Sequence, residues 1–191
     1  MTTIDKPPAA VWTDDALLAL DHVGKVELID GELRKMVPAG PEHEDIGSLL
    51  ITALTNAVRP SRLGRVYGSS AGYRLSPQTL LSPDVSFIAT PRLKGLRAHY
   101  KKFLKFAPDL AVEILSPGDS RKAALRKLPD YFQHGTQLVW IVNPIRQSVE
   151  VFTGPGASAR TLTLPDTLTA APLLPGFALK LADLFDPPDF D

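Results

Sequence analysis

Two acids in this chain sit where acids are costly. Glu113 lies in residues 108–115, Pro-Asp-Leu-Ala-Val-Glu-Ile-Leu, a nearly continuous apolar run closed by Ser116, Pro117 and Gly118. Asp84 follows Pro83 at the head of a second apolar run, residues 85–89. Short apolar runs bounded by turn residues fit strands buried on both faces. An ionised carboxylate there is unfavourable unless it is paired or bound to a cation. Glu113 is therefore a protonated acid, half of an ion pair, or a metal ligand. Two converging carboxylates repel, and one pKa rises, unless a divalent cation neutralises both. Magnesium prefers oxygen sites of this kind. The plainer reading makes Asp84 the cap of a turn after Pro83 and pairs Glu113 with a lysine.

A phosphodiesterase of the strand-borne type wants a lysine two residues after the acid, on the same face. That position is Leu115. The cation must come from elsewhere, and the following helical segment offers Arg121, Lys122, Arg126 and Lys127. Lys127 and Tyr131 are four apart and share a face, with Leu128 and Phe132 alongside. Lys127 is thus the inward candidate. A surface lysine laying its stem over apolar neighbours fits the same spacing.

The elements that must position these groups are read from pattern. Thr13 caps a short helix over 14–20, with Asp14 and Asp15 in its first turn. Residues 26–29 and 33–37 flank Asp30-Gly31-Glu32, a hairpin signal. From Glu42, helical spacing runs through Ile46, Leu49, Leu50, Ala53, Leu54, Ala57 and Val58 until Pro60 stops it. Residues 64–67 and 71–75 are short strands, followed by a loop and then the Asp84 strand. Asp119 or Ser120 caps a helix ending near His134, with Gly135 as its stop. Pro129 inside it is expected to kink or split it. Residues 137–142 and 148–153 read as paired strands, 161–164 and 168–170 as edge strands, and 179–185 as a terminal segment on the core. The class is α+β (mixed α/β): a mixed sheet with helices on both sides and an N-terminal hairpin. We expect a flexible leader over 1–12, a single domain over 13–186 and a tail over 187–191.

Composition narrows the function classes. A chain of 191 residues with balanced charge is long enough for one real core. The absence of cysteine excludes disulfides, thiolate metal sites and cysteine nucleophiles. No segment has signal-peptide or membrane-spanning character, which points to the cytoplasm. Arg92, Lys94, Arg97, Lys101, Lys102 and Lys105 crowd one stretch among aromatics. Such a stretch contacts a nucleic-acid backbone or forms a solvated face.

The ordered series is more specific than any of its parts. It runs through residues 26–33 (Val-Glu-Leu-Ile-Asp-Gly-Glu-Leu), Pro41-Glu42-His43, Pro83-Asp84-Val85, residues 112–117, Lys127 with Tyr131, Gly135, residues 139–144, and Leu174-Pro175-Gly176-Phe177. Over about residues 12–185 it resembles the Uma-type family of bacterial endonucleases, placed in the restriction-endonuclease-like, PD-(D/E)XK superfamily. The resemblance implies a mixed sheet flanked by helices, with Asp84 as the Asp of the pattern and Glu113 as its acidic partner. It also implies the backbone carbonyl of Ile114 as a further metal ligand and Lys127 as a lysine moved to the following helix. Glu27, Glu32 and His43 match positions that the family usually fills alike, and with Tyr131 they are candidates to line the site. For Glu27 and Glu32, solvated strand acids are the ordinary alternative. His43 fits a helix-start phosphate contact or a satisfied polar residue at the core edge. The implied activity is a magnesium- or manganese-dependent endonuclease acting on DNA, with a homodimer as the assembly. The alternative is a non-catalytic nucleic-acid- or protein-binding domain that kept the fold. Departures from the pattern are Leu115 at the usual lysine position (shared with the family), Pro129 in the lysine helix, and Asn143 where an Asp is common.

Overall fold

The computed structural model describes residues 12–20, 24–96, 102–118 and 120–186. The expected leader (apart from Trp12) and the tail lie outside these residues, as do Arg97, Lys101 and Asp119.

Local chemistry sets the element boundaries. α1 (Asp14–Leu18) starts at Thr13, whose Oγ1 accepts the Ala16 N–H at 3.1 Å. β1 (Val26–Ile29) and β2 (Glu32–Lys35) are joined by Asp30 and Gly31, at φ 53° and 80°. Positive φ at both central residues is the demand of a type I′ hairpin turn, which Asp-Gly meets. α2 (Pro41–Val58) opens on proline, where a missing N–H leaves no helical bond unmade. Its buried stripe is Ile46, Leu50, Leu54 and Val58.

β3 (Gly64–Gly68), β4 (Tyr73–Ser76), β5 (Thr79–Leu81) and β6 (Val85–Ala89) follow. β5 corrects the sequence reading, which had a loop there. Its three residues are all buried and pair antiparallel with β4. Three residues are too few for a periodic signal. After α3 (Thr90–Leu93) comes β7 (Leu110–Ile114), the Glu113 strand, buried along its whole length.

α4 (Arg121–Gln133) starts at Ser120, whose Oγ accepts the Ala123 N–H at 3.1 Å. The expected split at Pro129 does not occur; the helix runs through it. Lys127 and Tyr131, on either side of the proline, are both bonded to Glu113. That shared partner ties the two halves of the helix to one strand. The chain then forms β8 (Leu138–Asn143), β9 (Ser148–Phe152), β10 (Arg160–Leu162), β11 (Thr167–Ala170), β12 (Leu174–Lys180) and α5 (Leu181–Leu184). β11 is not an edge strand of the main sheet; it pairs with β12 in a two-stranded sheet of its own.

The central sheet has the order β10-β9-β8-β7-β6-β3. β7 and β8 are parallel, and the other pairs are antiparallel. A parallel pair needs a crossover, which α4 supplies. Alternation along β7 then divides its side chains between two layers. Leu110, Val112 and Ile114 pack with Ile46, Leu50 and Leu54 of α2. Ala111 packs with Ala124 and Tyr131 of α4. Glu113 has the parity of Ala111, so it points toward α4. A second sheet, β2-β1-β5-β4, buries Leu28, Leu33 and Leu80 against Leu17 of α1. The expected mixed sheet with helices on both sides is therefore present. Among the described residues, no helix is long and apolar enough to cross a membrane.

Candidate active site

The ends of β6 and β7 bring the two acids together. The Asp84 N–H donates to the Val112 carbonyl at 2.9 Å. The Ile114 N–H donates to Asp84 Oδ2, also at 2.9 Å. These bonds fix Asp84 beside the tip of the Glu113 strand. From the N-terminal hairpin, Lys25 Nζ reaches Asp84 Oδ1 at 3.1 Å. From the first turn of α2, His43 Nε2 lies 3.3 Å from Asp84 Oδ2.

Glu113 is held from α4. Lys127 Nζ donates to Oε2 at 2.9 Å, and the Tyr131 hydroxyl donates to Oε1 at 2.6 Å. Lys127 also meets Glu27 on β1, at 2.9 Å from Oε1 and 2.8 Å from Oε2. Glu27 Oε1 accepts in addition the Ser82 N–H at 2.9 Å. Lys127 thus bridges two buried carboxylates from different sheets. Its rivals Arg121, Lys122 and Arg126 are exposed.

Burial sets the charge states. It opposes the charge on Asp84 most strongly. The His43 hydrogen bond, the Lys25 ammonium and the Ile114 N–H nevertheless hold this carboxyl well below the usual carboxylate range. The same hydrogen bond raises the His43 pKa, against its burial. Burial pushes Lys127 down, but Glu113 and Glu27 outweigh it and raise it above the usual lysine value. Burial pushes Glu113 up; Lys127 works against that shift, and the neighbouring charges of Glu27 and Asp84 add to it. Burial and Glu113 push Tyr131 well above the ordinary phenol range, so its hydroxyl stays a donor.

Acid unfolding tests the state of Asp84. A carboxyl whose folded pKa is depressed adds stability above its unfolded pKa, about 4, and loses it as pH falls through the folded value. Asp84→Asn removes that dependence. In urea titrations, wild type is expected to lose more stability between pH 6 and pH 3 than Asp84→Asn does. Equal losses would show that Asp84 is not held ionised by its neighbours.

The other expected site residues fall in different places. Glu32 is outside the cluster: it is exposed on β2, 3.6 Å from Arg34. Arg92 pairs with Asp109 at 3.1 Å and lies 4.5 Å over the Phe106 ring, so it is committed to the fold. Lys102 lies 3.7 Å from Asp15, and Lys105 pairs with Asp14, so this stretch docks α1. Lys94 is exposed. Lys25 was missed. Lys25 lies just before β1, outside the run that the pattern marked as strand, so no local signal pointed to it.

Among the described residues, no three His, Asp or Glu side chains gather as a metal-ligand cluster. The donors beside the strand tips are carboxylate oxygens, which suit magnesium or manganese and do not suit soft metals. By donor type the residues fit a hard divalent ion, which would compete with Lys25 and His43 for Asp84 and with Lys127 and Tyr131 for Glu113. Asp84 and His43 also line an open cavity of about 530 Å³ with Ser48, Tyr67, Ser69 and Ser70.

The Uma2 family, described as "Putative restriction endonuclease", matches residues 14–182. No curated protein matches the chain. Among solved structures, the chain is similar to "a putative nuclease belonging to DUF820 from Anabaena variabilis ATCC 29413". The TM-score is 0.78 and the identity 25%, over 92% of this chain and 98% of that one.

Proposed function

The chain belongs to the Uma2 family of restriction-endonuclease-like proteins, and from this membership and its buried charge cluster we propose that it is a metal-dependent endonuclease cutting phosphodiester bonds in DNA. One observation carries the reading. Asp84 accepts the Ile114 N–H at 2.9 Å, one residue from Glu113, whose carboxylate takes the buried ammonium of Lys127, also at 2.9 Å.

In this reading Asp84, Glu113 and the Ile114 carbonyl would hold magnesium or manganese. Such an ion activates water and offsets the charge that builds on the phosphate. The protein supplies the rest. Lys127 stays protonated between Glu27 and Glu113 and presents a fixed positive charge to the scissile group. It does not serve as the base, because its two acid partners hold the proton on. The Tyr131 hydroxyl fixes the rotamer of Glu113 through Oε1. Ile114 and His43 fix Asp84, leaving its Oδ1 toward Lys25. The cavity beside Asp84 and His43 receives the substrate strand, with the Ser69 and Ser70 hydroxyls as donors to it.

The test is cleavage of supercoiled plasmid with manganese, comparing wild type with Asp84→Ala, Glu113→Ala and Lys127→Ala. Wild type is expected to nick the plasmid and all three variants to lose the activity. Equal activity in all four would mean the site is wrong. A second reading, a binding domain that kept the fold, is favoured by one observation: the carboxylates are paired with protein cations rather than grouped as a three-ligand set. It predicts nucleic-acid retention on a mobility gel without cleavage in any metal.

A further inference from the structure

The two lysines of the site are held differently. Lys127 is closed in between Glu27 and Glu113 and has no room to leave. Lys25 sits at the rim, with 22% of its side chain exposed, and reaches Asp84 Oδ1 at 3.1 Å. Its backbone is fixed by the hairpin, the Lys25 carbonyl accepting the Met36 N–H at 2.9 Å. Two residues on, Glu27 is anchored to Ser82 and Lys127. The side chain of Lys25 is partly open to solvent while its backbone is bonded in place.

Asp84 is divided in a matching way. Oδ2 takes the Ile114 N–H and faces His43. Oδ1 faces Lys25. A hard cation approaching from the rim therefore meets Oδ1, and meets Lys25 already on it. An ammonium and a divalent ion cannot share that oxygen closely, since like charges a few ångströms apart repel strongly at the edge of a protein.

We propose that Lys25 is a displaceable counterion: it holds Asp84 when no metal is bound and must be exchanged off Oδ1 for a divalent ion to bind. This rests on the metal-dependent reading above and adds to it a positioning residue with a defined sign. Removing Lys25 strengthens metal binding. A merely structural lysine would leave the affinity unchanged or weaken it.

The experiment is a calorimetric titration of manganese chloride into the full chain. Wild type, Lys25→Met, Lys25→Arg and the double variant Lys25→Met with Asp84→Asn are compared, with circular dichroism as a check on folding. Lys25→Met is expected to bind manganese on the order of tenfold more tightly than wild type. Lys25→Arg, which keeps the charge, is expected to bind like wild type, and the double variant to lose the gain. Manganese binding by Lys25→Met alone, with none by wild type, also supports the exchange. Wild-type binding with equal or weaker binding by Lys25→Met overturns it and leaves the nuclease reading standing. No binding by any of the four overturns both. If Lys25→Met does not fold, Lys25→Gln removes the charge with less change in polarity and carries the same expectations.

Discussion

Lys127→Met is expected to destabilise the folded chain by about 3–5 kcal/mol in urea titration at neutral pH. The lysine lies between Glu27 and Glu113, both buried, with no other cation on either carboxylate among the contacts described. Removing it leaves two acids out of water with nothing to balance them, and that imbalance, more than the lost bonds, sets the size of the effect. The sign with pH is opposite to that of Asp84. A lysine whose folded pKa is raised contributes fully below its unfolded value and loses the contribution only as pH rises through the folded one. The pairing is therefore complete at neutral pH and weakens only in strong alkali. The origin can be separated by a triple variant, Lys127→Met with Glu27→Gln and Glu113→Gln. With the charges gone, most of the loss should be recovered, because a neutral buried cluster needs no counterion. A triple variant as unstable as the single one would place the effect in packing along α4 instead.

Glu113→Gln is expected to slow manganese-dependent plasmid cleavage by about a hundred- to a thousandfold. Tyr131→Phe should slow it only about tenfold. Gln keeps the volume of Glu113 and can still accept from Tyr131, so the fold should tolerate it. What it loses is the negative charge, which pairs with Lys127 and on which the proposed metal site depends. Tyr131→Phe keeps that charge and removes only the 2.6 Å hydroxyl bond that orients it. The measurement is the nicking rate at saturating manganese, with binding followed separately. If the two variants fall equally, Glu113 acts through its orientation alone, and a ligand role for it is overturned.

The sequence made the central frame legible where its signals were strong. The Asp-Gly turn, the continuous apolar run of β7 and the Ser120 cap appear where pattern put them, and so does the stripe of α2 except for Leu49, which is exposed. Lys127 was legible through its spacing to Tyr131, although the same spacing fits a surface lysine. What separates the two is the depth of Glu27 on a different sheet, which no local pattern carries. Glu27 and Glu32 illustrate the limit. Both flank the same turn, yet one is sealed inside and the other is exposed. Both point to the same face, but Glu27 lies on β1, flanked by β2 and β5, whereas Glu32 lies on the edge strand β2, and β5 was too short to see. Pro129 misled in the other direction. A backbone rule predicted a kink or a split, and the helix is not split there; Lys127 and Tyr131 on either side of the proline share one partner, Glu113.

Lys127 is 14 positions from Glu113 but 100 from Glu27, and Lys25 is 59 from Asp84. One half of the centre is local to the β7–α4–β8 crossover, while the other half arrives with the hairpin from the far end of the chain. The Lys127–Glu27 pair joins α4, packed on the large sheet, to β1 of the small one, so the charge cluster and the seam between the two sheets stand or fall together.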